Sequence, residues 1–123
     1  MSAAKKILVV DDDLVTQMVL SVRLEVNGYD VITAPDGEEG LKKAKEENPD
    51  LLVLDLMMPK MNGYEVCRML KFDDQYKNIP IIVLSALDQQ EEREKAVESG
   101  ADAVFIKPFD LELLLVKIRG FIG

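Results

Sequence analysis

The chain has 123 residues, a single cysteine, 48% hydrophobic and 31% charged residues, and a formal net charge of −8. That length builds one domain with a respectable core and no need of disulfide staples, and so acidic a surface argues against direct binding of DNA or RNA by this domain. The sequence contains no histidine, which excludes Ser-His-Asp and Cys-His catalysis, the usual zinc sites and a phosphohistidine of its own. Chemistry must therefore rest on carboxylates, hydroxyls, lysine or a bound metal.

The opening MSAAKK runs straight into an apolar segment, leaving no room for a signal peptide. The longest apolar runs are too short to cross a bilayer, so the expected location is cytoplasmic. Ile7 to Val10 is short, rich in β-branched residues and free of polar interruption, the pattern of a strand buried on both faces of a parallel sheet. Residues 14 to 26 predict a helix with Val15, Met18, Val19, Val22 and Val26 on its inner face, stopped by Asn27-Gly28 and capped by Asp13. A strand over Tyr29 to Thr33 carries Asp30 and suits a sheet edge.

Residues 37 to 47 predict a helix turning only Gly37, Gly40, Leu41 and Ala44 inward, so that it can lie close to the sheet. Its outer face offers Glu38–Lys42 and Glu39–Lys43 pairs at i, i+4. Leu51–Leu54, Ile81–Leu84 and Val104–Ile106 repeat the buried-strand pattern, with helices over 63–71, 88–99 and 110–121. Five strands alternating with five helices predict a doubly wound α/β domain, (βα)₅ in flavodoxin-like order 2-1-3-4-5, spanning residues 1–123 with no linker.

Two helices stand out. The fourth, beneath the charged run Glu91 to Lys95, offers mainly Ala96 and Val97 as anchors, which predicts a mobile element. The fifth has more apolar residues than one core face needs. Leu111, Leu114, Leu115, Ile118 and Ile122 suffice, leaving Leu113, Val116 and Phe121 either to crowded packing or to a partner or a second copy of the chain. Met57, Met58 and Met61 read as loop packing, and Cys67, beside Val66 and Met69, as an inert core thiol.

The polar residues gather on that frame. Asp11, Asp12 and Asp13 follow the first strand, Asp55 ends the third, Ser85 ends the fourth and Lys107 follows the fifth. All lie at carboxyl ends of strands, the edge where open α/β sheets bind ligands. Strands one and three meet at the switch point, bringing Asp11, Asp12 and Asp55 together. Each like-charge pair at about 4 Å costs on the order of 4 kcal/mol at an effective dielectric near 20, so positive charge must sit there. Lys107 supplies one; a divalent cation would supply the rest. Oxygen donors without sulfur or imidazole suit Mg²⁺ or Mn²⁺. With that charge neutralised, an aspartate carboxylate is a competent nucleophile towards phosphorus, while Ser85 and Lys107 can bind phosphoryl oxygens.

ILVVDDD, LLVLDLMMPKMNG, IIVLSA and GADAVFIKPF resemble the four signature regions of two-component response regulator receiver domains, in order and along essentially the whole chain. The resemblance implies that Asp55 is the phosphoacceptor. It implies that Asp12 ligates Mg²⁺ directly, Asp11 largely through water, and that Asp55 and the backbone carbonyl of Met57 complete the protein ligands. Ser85 and Lys107 would bind the phosphoryl group, Lys107-Pro108 would be cis, and Pro59 and Gly63 would shape the loop after the acceptor. The implied partners are a sensor histidine kinase or histidine phosphotransfer protein and a downstream effector or output domain, reached through the surface of the fourth helix, fifth strand and fifth helix, which could also form a homodimer. Such a domain phosphorylates and dephosphorylates itself and turns over no separate substrate. The bulk of Met57 and Leu87, beside the expected path of attacking water, would slow that hydrolysis. One position departs from the pattern: Val104 stands three before the lysine, where many members carry an aromatic, and Phe105 one residue later faces the other side of the strand.

Two rivals make different predictions. ILVVDDDLV also fits the Asp-x-Asp-x-Val opening of haloacid dehalogenase-like phosphatases, with Asp11 as nucleophile and Asp13 as general acid, but that reading leaves Asp55 and MPKMNG unexplained. A flavodoxin-like cofactor module would need glycines and hydroxyls after the first strand, where this chain has three aspartates.

Overall fold

The computed structural model describes residues 4–56, 58, 61–85 and 90–123, with side chains for all of these except 90–93. In chain order the elements are β1 (Lys6–Val10), α1 (Leu14–Val26), β2 (Asp30–Ala34), α2 (Gly37–Glu47), β3 (Leu51–Asp55), α3 (Gly63–Lys71), β4 (Ile81–Ser85), α4 (Gln90–Glu98), β5 (Ala103–Ile106) and α5 (Leu111–Ile122). The strands form one parallel sheet in order β2-β1-β3-β4-β5, as the alternation of apolar blocks and helices predicts. Crossovers of one hand place helices on both faces.

Because side chains alternate along each strand, every central strand feeds two cores. Leu8, Val10, Leu52, Leu54, Ile81 and Val83 pack with α2, α3 and α4 through Ala44, Val66, Cys67, Leu70 and Ala96. Ile7, Val9, Leu51, Val53, Ile82 and Leu84 pack with Leu20 and Leu24 of α1 and Leu114, Leu115 and Ile118 of α5. Val104 joins the first core and Phe105 the second, so the displaced aromatic does face the other side.

Three helices read from sequence keep their ranges, and α2 buries Gly37, Gly40 and Ala44 as anticipated. A Cβ on Gly40 would lie 2.8 Å from both Val10 γ-carbons, so only glycine permits this approach of α2 to β1. The expected Glu38–Lys42 and Glu39–Lys43 pairs do not form; Lys43 Nζ donates instead to the Thr33 carbonyl.

Two expectations are corrected. The predicted inner face of α1 is its outer face: Val15, Met18, Val19, Val22 and Val26 are all at least half exposed, and Leu20 and Leu24 carry the packing. In α4, Ala96 is buried as expected but Val97 is 63% exposed, so Ala96 is the only one of the two that anchors the helix. The division of α5 is as read, with Leu113, Val116 and Phe121 left outside the core. Met58 and Met61 pack against the first core, and Cys67 is fully buried beneath α3. No helix among the described residues is long and apolar enough to cross a membrane.

Candidate functional site

Parallel register brings the strand ends to one rim. Val10 pairs with Leu54, Asp55 with Leu84 and Ser85 with Ile106, so Asp11, Asp55, Ser85 and Lys107 follow or end four adjacent strands. The ladder continues past the strand ends through Asp11 N–H to the Ala34 carbonyl (3.2 Å), Leu56 N–H to Leu84 (3.1 Å) and Lys107 N–H to Ser85 (2.7 Å). These bonds fix the backbone from which each polar side chain projects.

Asp11, Asp55 and Ser85 are buried, Asp12 is exposed and Lys107 is partly exposed. Carboxylate oxygens of Asp11, Asp12 and Asp55 all lie within 4.8 Å of one another. Lys107 Nζ sits 3.5 Å from Asp11 Oδ2 and 3.6 Å from Asp55 Oδ2. Those separations exceed a normal N–H···O bond, so the ammonium acts mainly by charge and stands between two carboxylates without closing on either. Three negative charges against one positive leave a residual of two (3 − 1), matching a divalent cation.

Asp11 supplies a second sign. Its Oδ1 accepts the Asp13 N–H at 2.8 Å, whereas Oδ2 is buried without any hydrogen bond among the described residues. Lys107 Nζ, 3.5 Å away, is too far to bond it closely, and a buried carboxylate oxygen without a hydrogen bond is costly. An all-oxygen donor set, with one oxygen that lacks a hydrogen bond and an exposed carboxylate beside it, fits Mg²⁺ or Mn²⁺.

Asp13 stands apart from the crevice chemistry. It caps α1, accepting the Val15 N–H at 3.0 Å and the Thr16 hydroxyl at 2.8 Å. The Thr16 hydroxyl first, then the Val15 amide, hold its carboxyl below the usual carboxylate range. A general acid must hold its proton, so Asp13 is unsuited to the role that the phosphatase reading gives it.

Gly63 opens α3 with its N–H on the Leu56 carbonyl, and a Cβ there would come within 2.7 Å of the Asp55 carbonyl and Leu56 Cα. Gly63 thus shapes the chain where it leaves the loop after β3. Lys107-Pro108 is cis, as expected. Met57, Pro59 and Leu87, also singled out from sequence, lie outside the described residues. One residue that sequence reasoning passed over is Gln17, whose side-chain amide donates to the backbone carbonyls of Asp11 and Ala34. Its only signal was a polar residue on the inner side of α1, legible once Leu20 and Leu24 are known to face the sheet.

The response regulator receiver domain family matches residues 7–119. The chain is 47% identical over 115 residues to the probable transcriptional regulator ycf27 of Porphyridium aerugineum, covering 94% of this chain and 47% of that protein. It is 46% identical over 118 residues to the alkaline phosphatase synthesis transcriptional regulatory protein PhoP of Bacillus subtilis, covering 96% and 48%. The chain thus spans about half the length of these curated relatives. Among solved structures it resembles the Vibrio cholerae chemotaxis protein CheY4 (TM-score 0.90, 34% identity, 98% of this chain and all of that one). It also resembles the receiver domain of the Pseudomonas aeruginosa sensor histidine kinase PA1611, which has a magnesium ion coordinated in its active-site cleft (TM-score 0.90, 30% identity, 98% and 99% covered). The chain belongs to the response regulator receiver domain family of two-component systems.

Proposed function

We propose that this domain is a phosphoacceptor switch in which Asp55 takes a phosphoryl group from the phosphohistidine of a sensor kinase or histidine phosphotransfer protein, in a Mg²⁺-dependent reaction in the cytoplasm. The observation that carries the reading is the buried Asp11–Asp55 pair around one ammonium, with Asp11 Oδ2 lacking a hydrogen bond among the described residues and Asp12 open to solvent beside it. Asp11, Asp12, Asp55 and the Met57 carbonyl would hold the metal, which when bound neutralises charge on the crevice and on the phosphoryl oxygens.

A carboxylate oxygen of Asp55 attacks phosphorus. The new O–P bond forms as the P–N bond to the donor imidazole breaks; the imidazole, protonated on its other nitrogen, keeps that electron pair and leaves neutral. Lys107, already midway between Asp11 and Asp55, turns to a phosphoryl oxygen as charge moves onto the acceptor. The Ser85 hydroxyl, on the strand beside Asp55, donates to another. Water later attacks phosphorus and returns Asp55 and inorganic phosphate, so no separate substrate is turned over.

The donor histidine has to reach Asp55 over the rim from which α1 starts. There the exposed valines of α1 adjoin a groove lined by Val15, Val19, Pro108 and Phe109, a surface suited to a helical partner's apolar face. The signal leaves through α4, β5 and α5. A groove floored by Val104 and Phe105 and walled by Leu113, Val116 and Phe121 opens there, and it suits an output domain or a second copy of this chain.

Borohydride reduction of the phosphorylated protein converts an acyl phosphate to homoserine, which peptide mass mapping locates. Homoserine at position 55 is expected after incubation with phosphoramidate and Mg²⁺; homoserine at position 11, or none in protein that carries phosphate, overturns the assignment.

A further inference from the structure

We infer that Gln17 is a positioning residue for the metal-binding carboxylates, holding the Asp11–Asp12 peptide so that both side chains face the crevice. The inference deepens, and rests on, the reading of this crevice as a Mg²⁺-dependent phosphoacceptor site.

β1 and β2 are paired up to Val10 and Ala34, after which the chain leaves for α1 and α2. One further rung, Asp11 N–H to the Ala34 carbonyl at 3.2 Å, closes the ladder. Beyond it the Gln17 side chain enters from α1, and its amide nitrogen donates to the Asp11 carbonyl at 3.2 Å and the Ala34 carbonyl at 3.1 Å. Both partners can only accept, so the orientation of the amide is set by chemistry. Gln17 is itself fixed on the helix, with its backbone N–H on the Asp13 carbonyl and its own carbonyl accepting the Ser21 hydroxyl.

Asp11 is thereby held at three atoms: N–H by Ala34, carbonyl by Gln17, and Oδ1 by the Asp13 amide. Only Oδ2 remains, directed at Lys107. The Asp11 carbonyl also shares a rigid plane with the Asp12 amide nitrogen and Cα, so a donor that fixes that oxygen fixes the point from which the Asp12 side chain starts. This matters most for Asp12. Its carboxylate is exposed and makes no hydrogen bond among the described residues, so the placement of its backbone is what keeps it within reach of the crevice. A glutamine that merely tied α1 to β2 would need only the Ala34 bond.

The test is Mg²⁺ binding by calorimetry on the unphosphorylated protein, with thermal melting to confirm folding, for wild type, Gln17→Leu and Gln17→Glu. Gln17→Leu keeps the volume and removes both donors; the expected result is a Mg²⁺ dissociation constant raised about tenfold, the low end for lost outer-shell support. Gln17→Glu adds a negative charge near the cation, which by charge alone would tighten binding, yet it sets an acceptor against two carbonyls and is expected to weaken it. A folded Gln17→Leu with unchanged Mg²⁺ affinity, or tighter binding by Gln17→Glu, overturns the inference. Should Gln17→Leu fail to fold, Gln17→Asn, one methylene too short to span both carbonyls, is expected to weaken Mg²⁺ binding in the same direction, and unchanged affinity there overturns it equally. Wild-type protein that binds Mg²⁺ but forms no phosphoryl adduct would sink the phosphoacceptor reading and leave the positioning role measured on its own.

Discussion

Asp11 and Asp55 are buried carboxylates sharing one ammonium that bonds fully to neither. In the metal-free protein that arrangement opposes folding, because like charges are held together in a poorly solvated rim. Asp55→Asn removes one of them and keeps the shape. The variant is expected to melt higher than wild type without Mg²⁺, by about 1 kcal/mol of stability, and the gain should shrink as Mg²⁺ is added; a lower melting temperature in both conditions would contradict it. Cys67 is the opposite kind of residue. Burial first of all pushes its thiol above the ordinary value, so the folded protein favours the neutral form. The sign follows from linkage: the contribution is complete below the unfolded thiol's pKa and is lost as pH rises through the folded one. Folded protein should therefore react with iodoacetamide far more slowly than urea-unfolded protein at pH 8, and Cys67→Ser should flatten part of the stability loss above pH 9; equal labelling in both states would show the thiol to be accessible.

At the scale of elements, α1 carries the clearest divergence between pattern and packing. Leucines at 20 and 24 face the sheet while valines at 15, 19, 22 and 26 run along the outside. A surface stripe of that kind contributes little to stability and much to association. Val22→Glu is expected to change stability by less than about 0.5 kcal/mol, leave phosphorylation by phosphoramidate intact, and slow transfer from a phosphohistidine donor; unchanged transfer would remove α1 from the docking surface. The misreading has a physical cause. Apolar residues occupy both sides of this helix, so periodicity alone does not single out the inner face, and the decisive fact, that Gln17 and Leu20 share the sheet-facing side, is tertiary. By contrast α2 was legible because its inward positions carry only small residues and Leu41, and at position 40 even a Cβ would lie 2.8 Å from Val10. In α5 the surplus apolar residues were visible as a surplus. The strands were legible throughout, since uninterrupted β-branched blocks leave few other folds open.

For the molecule as a whole, the order β2-β1-β3-β4-β5 turns five residues scattered from 11 to 107 into one crevice. Every crevice residue recognised from the sequence lies at a strand end, which is why topology sufficed to gather them; Gln17 comes from a helix interior and was not recoverable that way. The two poles of the sheet are built differently. At the far pole Lys71 Nζ bonds the carbonyls of Lys77 and Ile79 and pairs with Asp102 at 2.6 Å, while Asp102 also accepts the Ile81 N–H. Charges there are matched and tied to backbone. At the near pole they are mismatched, three carboxylates to one ammonium.

The measurement that bears most directly on the central claim is an intact-mass spectrum after incubation with phosphoramidate, with and without Mg²⁺, for wild type, Asp55→Asn and Asp11→Asn. A single Mg²⁺-dependent phosphoryl adduct on wild type, absent from Asp55→Asn, is the predicted result. An adduct that persists in Asp55→Asn and vanishes in Asp11→Asn would transfer the nucleophile to β1, and a folded, Mg²⁺-binding wild type that takes up no phosphoryl group would contradict the switch itself.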